Sequence, residues 1–441
     1  MSGLSGEPSD GHVFSRMLNR RQAIRAGGAL GVGALLAACS GSQGSTANGP
    51  TTPSAGSSPA ASAPSAAASS GSSAARSAPS SIAPGSVDRL DETTTATLTS
   101  LFDKVFASTG VAGMAAGVWI GQDSWSRSAG YADLASQAAF RPADHVRIAS
   151  ITKSYAATAA LRLVDQGALA ITDTLESFVP GVANGAQITL KDLLGMTSGI
   201  YDFTSDAAFL SAFDADPTMA WSDAQTLEII ARHDPLFAPG AELSYCDSNY
   251  ALIGMIIEKV TGKPAGEVIT SEVIDKLPLS GTSYPTATTI PDPHPTGYVP
   301  PVTDPNAPFD NAAAPPAIVT ELNPAVPSTA GAMISTLDDL RVWGGELAAG
   351  TLLAPATQAA RLTSRPFPGQ KINIGYGLGC ETLNEFTGHN GAILGFSTVV
   401  MRRPQADVTI AAVANESTNF TTPTSSFSFG VIQALYPDQF V

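Results

Sequence analysis

Cysteine and histidine are scarce in this 441-residue chain, and no metal site is indicated. The chain contains three Cys and five His, with neither a CxxC nor an HExxH motif. Because zinc sites in proteins depend on spacings of this kind, the sequence predicts a protein that uses no metal and no other cofactor.

Basic residues are also few, and the formal net charge is −15. Residues 1–87 carry +3, from five Arg against two acids, so the remaining body carries −18. A body this acidic repels phosphate backbones, which argues against nucleic acid as a partner. The hydrophobic content of 44% suits a globular body with a sizeable core.

The apolar run near the N-terminus is short. Ala26–Ala38 has 13 residues, too few to cross a bilayer. It follows an Arg pair at positions 20 and 21 and ends at Cys39, so residues 1–38 are predicted to be a twin-arginine signal peptide. Because Leu36–Cys39 resembles a bacterial lipobox, we expect Cys39 to be lipidated and to anchor an exported protein to the outer face of the cytoplasmic membrane. The alternative is a buried apolar helix with a chance Cys.

Residues 39–87 are rich in Ser, Ala and Pro, a composition that predicts a disordered tether. Arg76 is the only charged residue after Cys39 in this segment. The folded body is therefore predicted to span residues 88–441. Residues 1–16 add nothing to the signal, so the start is either Met1 or Met17.

Strand patterns lie at both ends of the body, and helix patterns lie mostly between them. Strands are predicted at 111–120, 125–131, 375–383, 386–389, 395–402 and 408–415. Helices are predicted at 88–108, 148–166 and 425–436, with further helical signals up to about 275. The predicted fold class is α/β, more strictly α+β, with one antiparallel sheet flanked by helices plus an all-helical domain. The sheet part covers about 88–147 and 330–441, the helical part covers about 148–329, and the cleft between them is the expected site.

The segment Ser150-Ile151-Thr152-Lys153 places a hydroxyl and an amine on one face at the start of a predicted helix. Lys153 is the only one of the seven Lys with a Ser three residues before it. Helix N-termini stabilise a developing oxyanion, and a Lys neutralised by its surroundings accepts a Ser proton. The pattern predicts Ser150 as nucleophile and Lys153 as base. The alternative is an exposed Lys on an ordinary helix.

Two weaker motifs follow. Tyr245-Cys246-Asp247 offers a phenol that can carry a proton, and its alternative is a Tyr packed at a helix start. His389-Asn390-Gly391 is the only His-x-Gly in the chain, and Gly391 is expected to let a substrate approach the strand edge. Its alternative is a His hydrogen-bonded in the core.

In this order, the three motifs resemble the Ser-x-x-Lys, Tyr-x-Asn and Lys/His-x-Gly motifs of the penicillin-recognising serine hydrolases, the class C β-lactamase and DD-peptidase type. The resemblance covers about residues 90–440 and implies a β-lactamase/transpeptidase-like fold. Its further landmarks are Gly130–Asp133, Ile188–Leu194, Thr197–Gly199, Asn249–Gly262, Ser328–Gly331 and Gly375–Gly379.

The resemblance also implies a role for each motif residue. The nucleophile would be Ser150, with Lys153 and Tyr245 sharing the base and acid steps. The substrate-binding and oxyanion residues would be Asp247, His389, Gly391 and Ala392. The oxyanion hole itself would consist of the backbone N–H groups of Ser150 and Ala392.

Three departures from the family pattern point away from substrates with a carboxylate. Asp247 stands where the family has Asn, and Ala392 stands where DD-peptidases often have a hydroxyl residue. No Arg follows Gly379 to hold a substrate carboxylate. An acidic site also repels a substrate carboxylate. The first hypothesis is therefore an exported hydrolase of esters or amides at the cell envelope, acting on small-molecule or peptidoglycan-type substrates.

Three alternatives stay open for the function. They are a D-alanyl-D-alanine carboxypeptidase or penicillin-binding protein, a class C-like β-lactamase, and a catalytically weak family member that binds envelope ligands. Two alternatives stay open for Cys246 and Cys380, which either form a disulfide or remain free. We favour free buried thiols, because Cys often serves as a small hydrophobic residue in a core.

Overall fold

The computed structural model describes residues 87–300, 316–370, 372–417 and 422–440. The predicted signal peptide, Cys39 and nearly all of the tether lie outside the described residues. In the part of the chain that is described, no helix is both long and apolar enough to span a membrane.

A large antiparallel sheet dominates the described residues. The strands are β1 Gly113–Ile120, β2 Asp123–Asp133, β3 Ala138–Ala139, β4 Val146–Arg147, β5 Tyr298–Val299, β6 Ala317–Ile318, β7 Ile334–Ser335, β8 Arg365–Pro366, β9 Ile374–Tyr376, β10 Glu381–Leu383, β11 Phe386–Ile393, β12 Phe396–Arg403 and β13 Val408–Ala414. Nine of them form the sheet in the order β3-β2-β1-β13-β12-β11-β10-β9-β8. Because β1 pairs with β13, with Met114 opposite Ala414, the two ends of the body meet in one sheet.

Helices cover the sheet and fill the middle of the chain. They are α1 Glu92–Thr109, α2 Thr152–Asp165, α3 Leu190–Leu194, α4 Ala207–Ala215, α5 Asp223–Ala231, α6 Asp247–Thr261, α7 Ala265–Glu272, α8 Ser328–Gly331, α9 Leu337–Ala349, α10 Pro355–Leu362 and α11 Pro423–Leu435. Local signals set several of their starts. Asp91, for example, caps α1 by accepting a hydrogen bond from the Thr94 backbone N–H at 2.8 Å.

The two faces of the sheet pack into two separate hydrophobic cores. Every residue of β1 is buried, and its alternate side chains enter opposite cores, as Met114 and Ala115 show. On one face, α1 and α11 pack against each other and against the sheet. The rings of Phe102 on α1 and Phe427 on α11 lie 6.1 Å apart. The sheet is therefore covered on both sides, which explains why its central strands read as continuous apolar runs.

The other face of the sheet holds α2, which is buried between the sheet and the helical group. The rings of Tyr155 on α2 and Trp343 on α9 stack at 3.7 Å, and the Trp343 Nε1–H donates to Ser154 Oγ at 2.8 Å. These contacts fix α2 as the central helix of the molecule. The predicted fold class is confirmed: an antiparallel sheet built from both ends of the body, with helices flanking it and a helical part in the middle.

Several boundaries differ from the sequence prediction. The single strand predicted at 375–383 is wrong: the segment forms two antiparallel strands, β9 and β10, because the chain turns between them, with Gly379 at a φ of 83°. Two other boundaries also differ. The helix expected from residue 148 begins at Thr152, after a 3₁₀ turn at Ala149–Ile151. The strand expected at 386–389 continues to Ile393, because β12 provides a partner along its whole length. Both differences concern the residues that form the candidate site.

Candidate active site

Ser150 lies in the short turn that leads into α2. The preceding residue, Ala149, adopts a φ of 49°, a left-handed conformation that costs energy for a residue with a Cβ. Contacts around Ile148 hold this turn in place: its N–H donates to the Met333 carbonyl at 2.9 Å, and its carbonyl accepts from Thr398 Oγ1 at 3.0 Å. The hydroxyl of Ser150 is therefore positioned by its surroundings at the N-terminus of the central helix.

Lys153 lies one turn further along α2 and is fully buried. Its Nζ is 2.9 Å from Ser150 Oγ, 2.8 Å from the Ala330 carbonyl and 2.6 Å from Asp247 Oδ1. These three contacts use the three N–H donors of an ammonium group. The structure thus places the predicted Ser and Lys in direct contact, and the alternative of an exposed Lys does not hold.

Asp247 begins α6 and forms an ion pair with Lys153. A second carboxyl group, that of Asp202, lies close by. Burial, together with the charge of Asp247, raises the pKa of Asp202 to about 7. Because an ammonium cannot accept a proton, Lys153 Nζ must lose one before it can act as a base. Asp247 is the carboxylate in direct contact with this ammonium group.

Tyr245 completes the group around the nucleophile. Its phenol shares a hydrogen bond with the Ser150 hydroxyl, and its ring centre lies 4.9 Å from Lys153 Nζ. Burial, and then the negative charge of Asp247, raise the pKa of Tyr245 well above its ordinary value. Tyr245 therefore stays protonated at neutral pH and is better suited to donating a proton than to removing one.

Strand β11 presents a free edge beside Ser150. Its pairing with β10 ends at Gly388, opposite Glu381, whereas its pairing with β12 continues to Ile393. From His389 onward, one edge of β11 therefore has no strand partner among the described residues. Ala392 lies on this stretch with an exposed side chain. The edge can accept an extended substrate as an added strand.

Gly391 has a packing role that the sequence did not predict. A Cβ at this position would lie 2.3 Å from the Ile148 carbonyl oxygen and 2.7 Å from Thr398 Oγ1. The glycine therefore allows β11 to pack directly against the turn that carries Ser150. This packing by itself requires glycine here, and the approach of a substrate to the strand stays a prediction.

His389 is fully buried behind the free edge. Its Nε2 lies 3.1 Å from the Tyr376 hydroxyl, and its Nδ1 lies 2.5 Å from the Asn390 carbonyl. Burial, followed by the positive charge of Lys153, lowers the pKa of His389 to about 3. The imidazole is thus neutral at physiological pH, so it does not supply the positive charge of the Lys that other family members carry at this position.

Four contributors to the site escaped the sequence reasoning: Asp202, the Ala330 carbonyl, Tyr376 and Glu381. Ala330 and Tyr376 lie within two segments that carry the family resemblance, Ser328–Gly331 and Gly375–Gly379. The sequence therefore indicated that both residues lie near the site, but not which atoms they contact. A backbone carbonyl has no sequence signature. Asp202 and Glu381 are acids in ordinary surroundings, and only the fold brings them to the site.

The two body cysteines are free, as predicted in preference to a disulfide. Cys246 Sγ donates to the Ile200 carbonyl at 3.4 Å, and Cys380 Sγ donates to the Arg361 carbonyl at 3.8 Å. Both thiols are buried and each has its own acceptor. Among the described residues, no group of three or more His, Cys, Asp or Glu is arranged to hold a metal ion.

The fold, with a Ser hydroxyl beside a buried Lys at a helix N-terminus, is the arrangement that the resemblance to the penicillin-recognising serine hydrolases implied. The Beta-lactamase family model matches residues 98–425. The chain belongs to this Beta-lactamase family.

Comparison with known proteins agrees with this assignment. A D-stereospecific amidohydrolase from Streptomyces sp. superposes with a TM-score of 0.68 at 30% identity, over 78% of this chain and 98% of the other. A D-amino acid amidase from Ochrobactrum anthropi SV3 shares the fold, with a TM-score of 0.67 at 22% identity over 78% and 98% of the two chains.

A curated relative, a putative D-alanyl-D-alanine carboxypeptidase of Escherichia coli (strain K12), is 32% identical over 146 residues. The match covers 31% of this chain and 33% of the relative. The chain thus matches only about a third of the length of its first curated relatives.

Proposed function

We propose that the protein is an exported serine hydrolase that forms an acyl-enzyme on Ser150 and hydrolyses esters or amides at the cell envelope. The contact between Ser150 Oγ and the buried Lys153 Nζ, at 2.9 Å, carries this proposal. Tyr245 on the same hydroxyl and the free edge of β11 beside it complete the arrangement.

In the proposed mechanism, Asp247 accepts a proton from Lys153, and the free amine then removes the Ser150 proton. The Ser150 oxygen attacks the substrate carbonyl carbon, and the backbone N–H groups of Ser150 and Ala392 stabilise the oxyanion. Tyr245 donates its proton to the leaving group as the carbon–heteroatom bond breaks, and it is reprotonated from Lys153. Water then releases the acyl group through the same residues acting in reverse.

Amides and esters without a carboxylate fit this site better than D-alanyl-D-alanine peptides. Lys153 is already paired with Asp247, and the buried His389 is neutral. The similarity to a D-stereospecific amidohydrolase over almost its entire length supports this preference. The second candidate, a D-alanyl-D-alanine carboxypeptidase, is favoured by the curated relative that matches over a third of its length.

Turnover of a p-nitrophenyl ester should exceed turnover of a matched D-alanyl-D-alanine peptide and of a fluorescent penicillin. The repulsion between the acidic site and a substrate carboxylate predicts a difference in kcat/KM on the order of tenfold or more. Steady-state rates and burst amplitudes on the purified protein measure it. A fast penicillin burst with D-alanine release would instead support the carboxypeptidase. Binding of these compounds without turnover would support a weak, ligand-binding member of the family.

The export signal and lipid anchor are part of the same proposal. Wild-type protein should fractionate with membranes, whereas Cys39→Ala should appear in the soluble fraction, because acylation needs the Cys39 thiol and stable anchoring takes more than one chain. Ser42→Ala, three residues away, serves as the matched control and should behave like the wild type. Equal membrane retention of the Cys39→Ala variant would contradict lipidation at this residue.

A further inference from the structure

Glu381 lies where β10 separates from β11. Its partner is Gly388, the last residue of β11 that β10 covers, so the free edge begins immediately beyond it. The Glu381 carboxylate accepts a hydrogen bond from the Asn390 backbone N–H and lies 4.0 Å from His389 Nδ1. Its side chain remains 22% exposed. Glu381 thus places a carboxylate at one end of the edge along which a substrate would bind.

No free cation balances this carboxylate in the described part of the site. Titratable groups that interact with Glu381 come from the neighbouring elements: Lys153 on α2, Tyr245 before α6, Tyr376 on β9, Cys380 beside it and His389 on β11. Lys153 is the only cation among them, and Asp247 already pairs with it at 2.6 Å. A substrate carboxylate at this end of the edge would therefore face Glu381 without a compensating charge.

An extended substrate pairs with a free strand edge through its own N–H and C=O groups. With its scissile carbonyl beside Ser150 and Ala392, such a substrate places one flanking group next to Asn390 and Glu381. We propose that Glu381 is a specificity-determining residue that excludes substrates with a carboxylate in this position and accepts those with an amide, ester or amine there. The inference rests on the proposed function, because it requires turnover at Ser150.

This selection should depend on pH. Burial raises the pKa of Glu381 to about 7, so its side chain is mostly neutral at pH 5.5 and mostly charged at pH 8.5. The penalty on a substrate carboxylate should therefore grow as the pH rises through 7. Asp202 also has a pKa raised to about 7. A variant of Glu381 is therefore needed to separate the contribution of Glu381 to the pH dependence from that of Asp202.

A matched pair of thioesters tests the inference on the purified protein. N-acetyl-D-alanyl thioglycolate and the corresponding thioglycolamide differ only in a carboxylate on the leaving group, and both release a thiol that can be titrated. For wild type, the kcat/KM ratio of amide to carboxylate should rise on the order of tenfold between pH 5.5 and 8.5. For Glu381→Gln and Glu381→Ala, the ratio should stay near its low-pH value throughout.

A surface control separates Glu381 from the overall charge of the protein. Glu267 is exposed on α7, and Glu267→Gln removes the same charge but should retain the wild-type pH profile. A Glu381→Gln ratio that follows the wild type would overturn the inference, and so would a wild-type preference for the carboxylate. If neither thioester reacts while a p-nitrophenyl ester is hydrolysed at Ser150, the inference fails and the proposed function stands. If Ser150 is not acylated by any of these compounds, the proposed function itself fails.

Discussion

Replacing Ser150 with Ala should abolish acyl-enzyme formation. The variant loses the oxygen that lies 2.9 Å from Lys153 Nζ and that shares a hydrogen bond with Tyr245. We expect esterase activity to fall on the order of 10⁴-fold or more, the scale observed when the nucleophile of a catalytic unit is removed. Mass spectrometry of wild type after fluorophosphonate treatment should place a single adduct on the peptide that contains Ser150.

Ser126 provides a matched control for this experiment. It is exposed on β2 and lies outside the site, so Ser126→Ala should be labelled and should turn over substrate like the wild type. An adduct on a different Ser, together with retained activity of Ser150→Ala, would show that the nucleophile has been assigned to the wrong residue.

Lys153→Arg should lose activity on the order of 10³-fold even though it preserves the positive charge. The proposed base must reach the free amine form, and a guanidinium remains protonated at every accessible pH. Raising the pH should therefore not restore the rate. Initial rates of acylation from pH 6 to pH 10 measure this, with thermal unfolding recorded in parallel to confirm that the variant is folded.

Lys191→Arg is the corresponding control, because Lys191 is exposed on α3. It should leave both the rate and its pH dependence unchanged. Near-wild-type acylation by a folded Lys153→Arg variant would mean that Lys153 is a structural residue, and the base would then have to be sought elsewhere, with Asp247 as the first candidate.

The parts of the site that sequence could predict are those set by short spacings. Lys153 follows Ser150 by three positions, and one helical turn brings their polar atoms together. Strand periodicity and the apolar runs likewise indicated the sheet and its construction from both ends of the body. These features are local or depend on a repeating pattern, so they can be predicted without knowledge of the packing.

The parts that sequence could not predict depend on contacts between distant segments. The ion pair of Lys153 with Asp247 joins two helices, and its consequence for proton transfer follows only from the 2.6 Å distance. The packing that requires glycine at position 391 was not predicted either, because the neighbours that impose it include Ile148, which is distant in the sequence. Glu381 looked like an ordinary strand acid, since neither its burial nor the end of the β10–β11 pairing is visible in the sequence.

The pairing of β1 with β13 has a consequence for how the protein folds during its synthesis. Met114 and Ala414 face each other across 300 positions of chain, so the centre of the sheet closes only after the last strand has been synthesised. Contacts of such high sequence separation form slowly, and a growing chain that ends before β11 lacks the edge beside Ser150. The proposed activity should thus be absent from incomplete chains and should appear only after the C-terminal strands have joined β1 in the sheet.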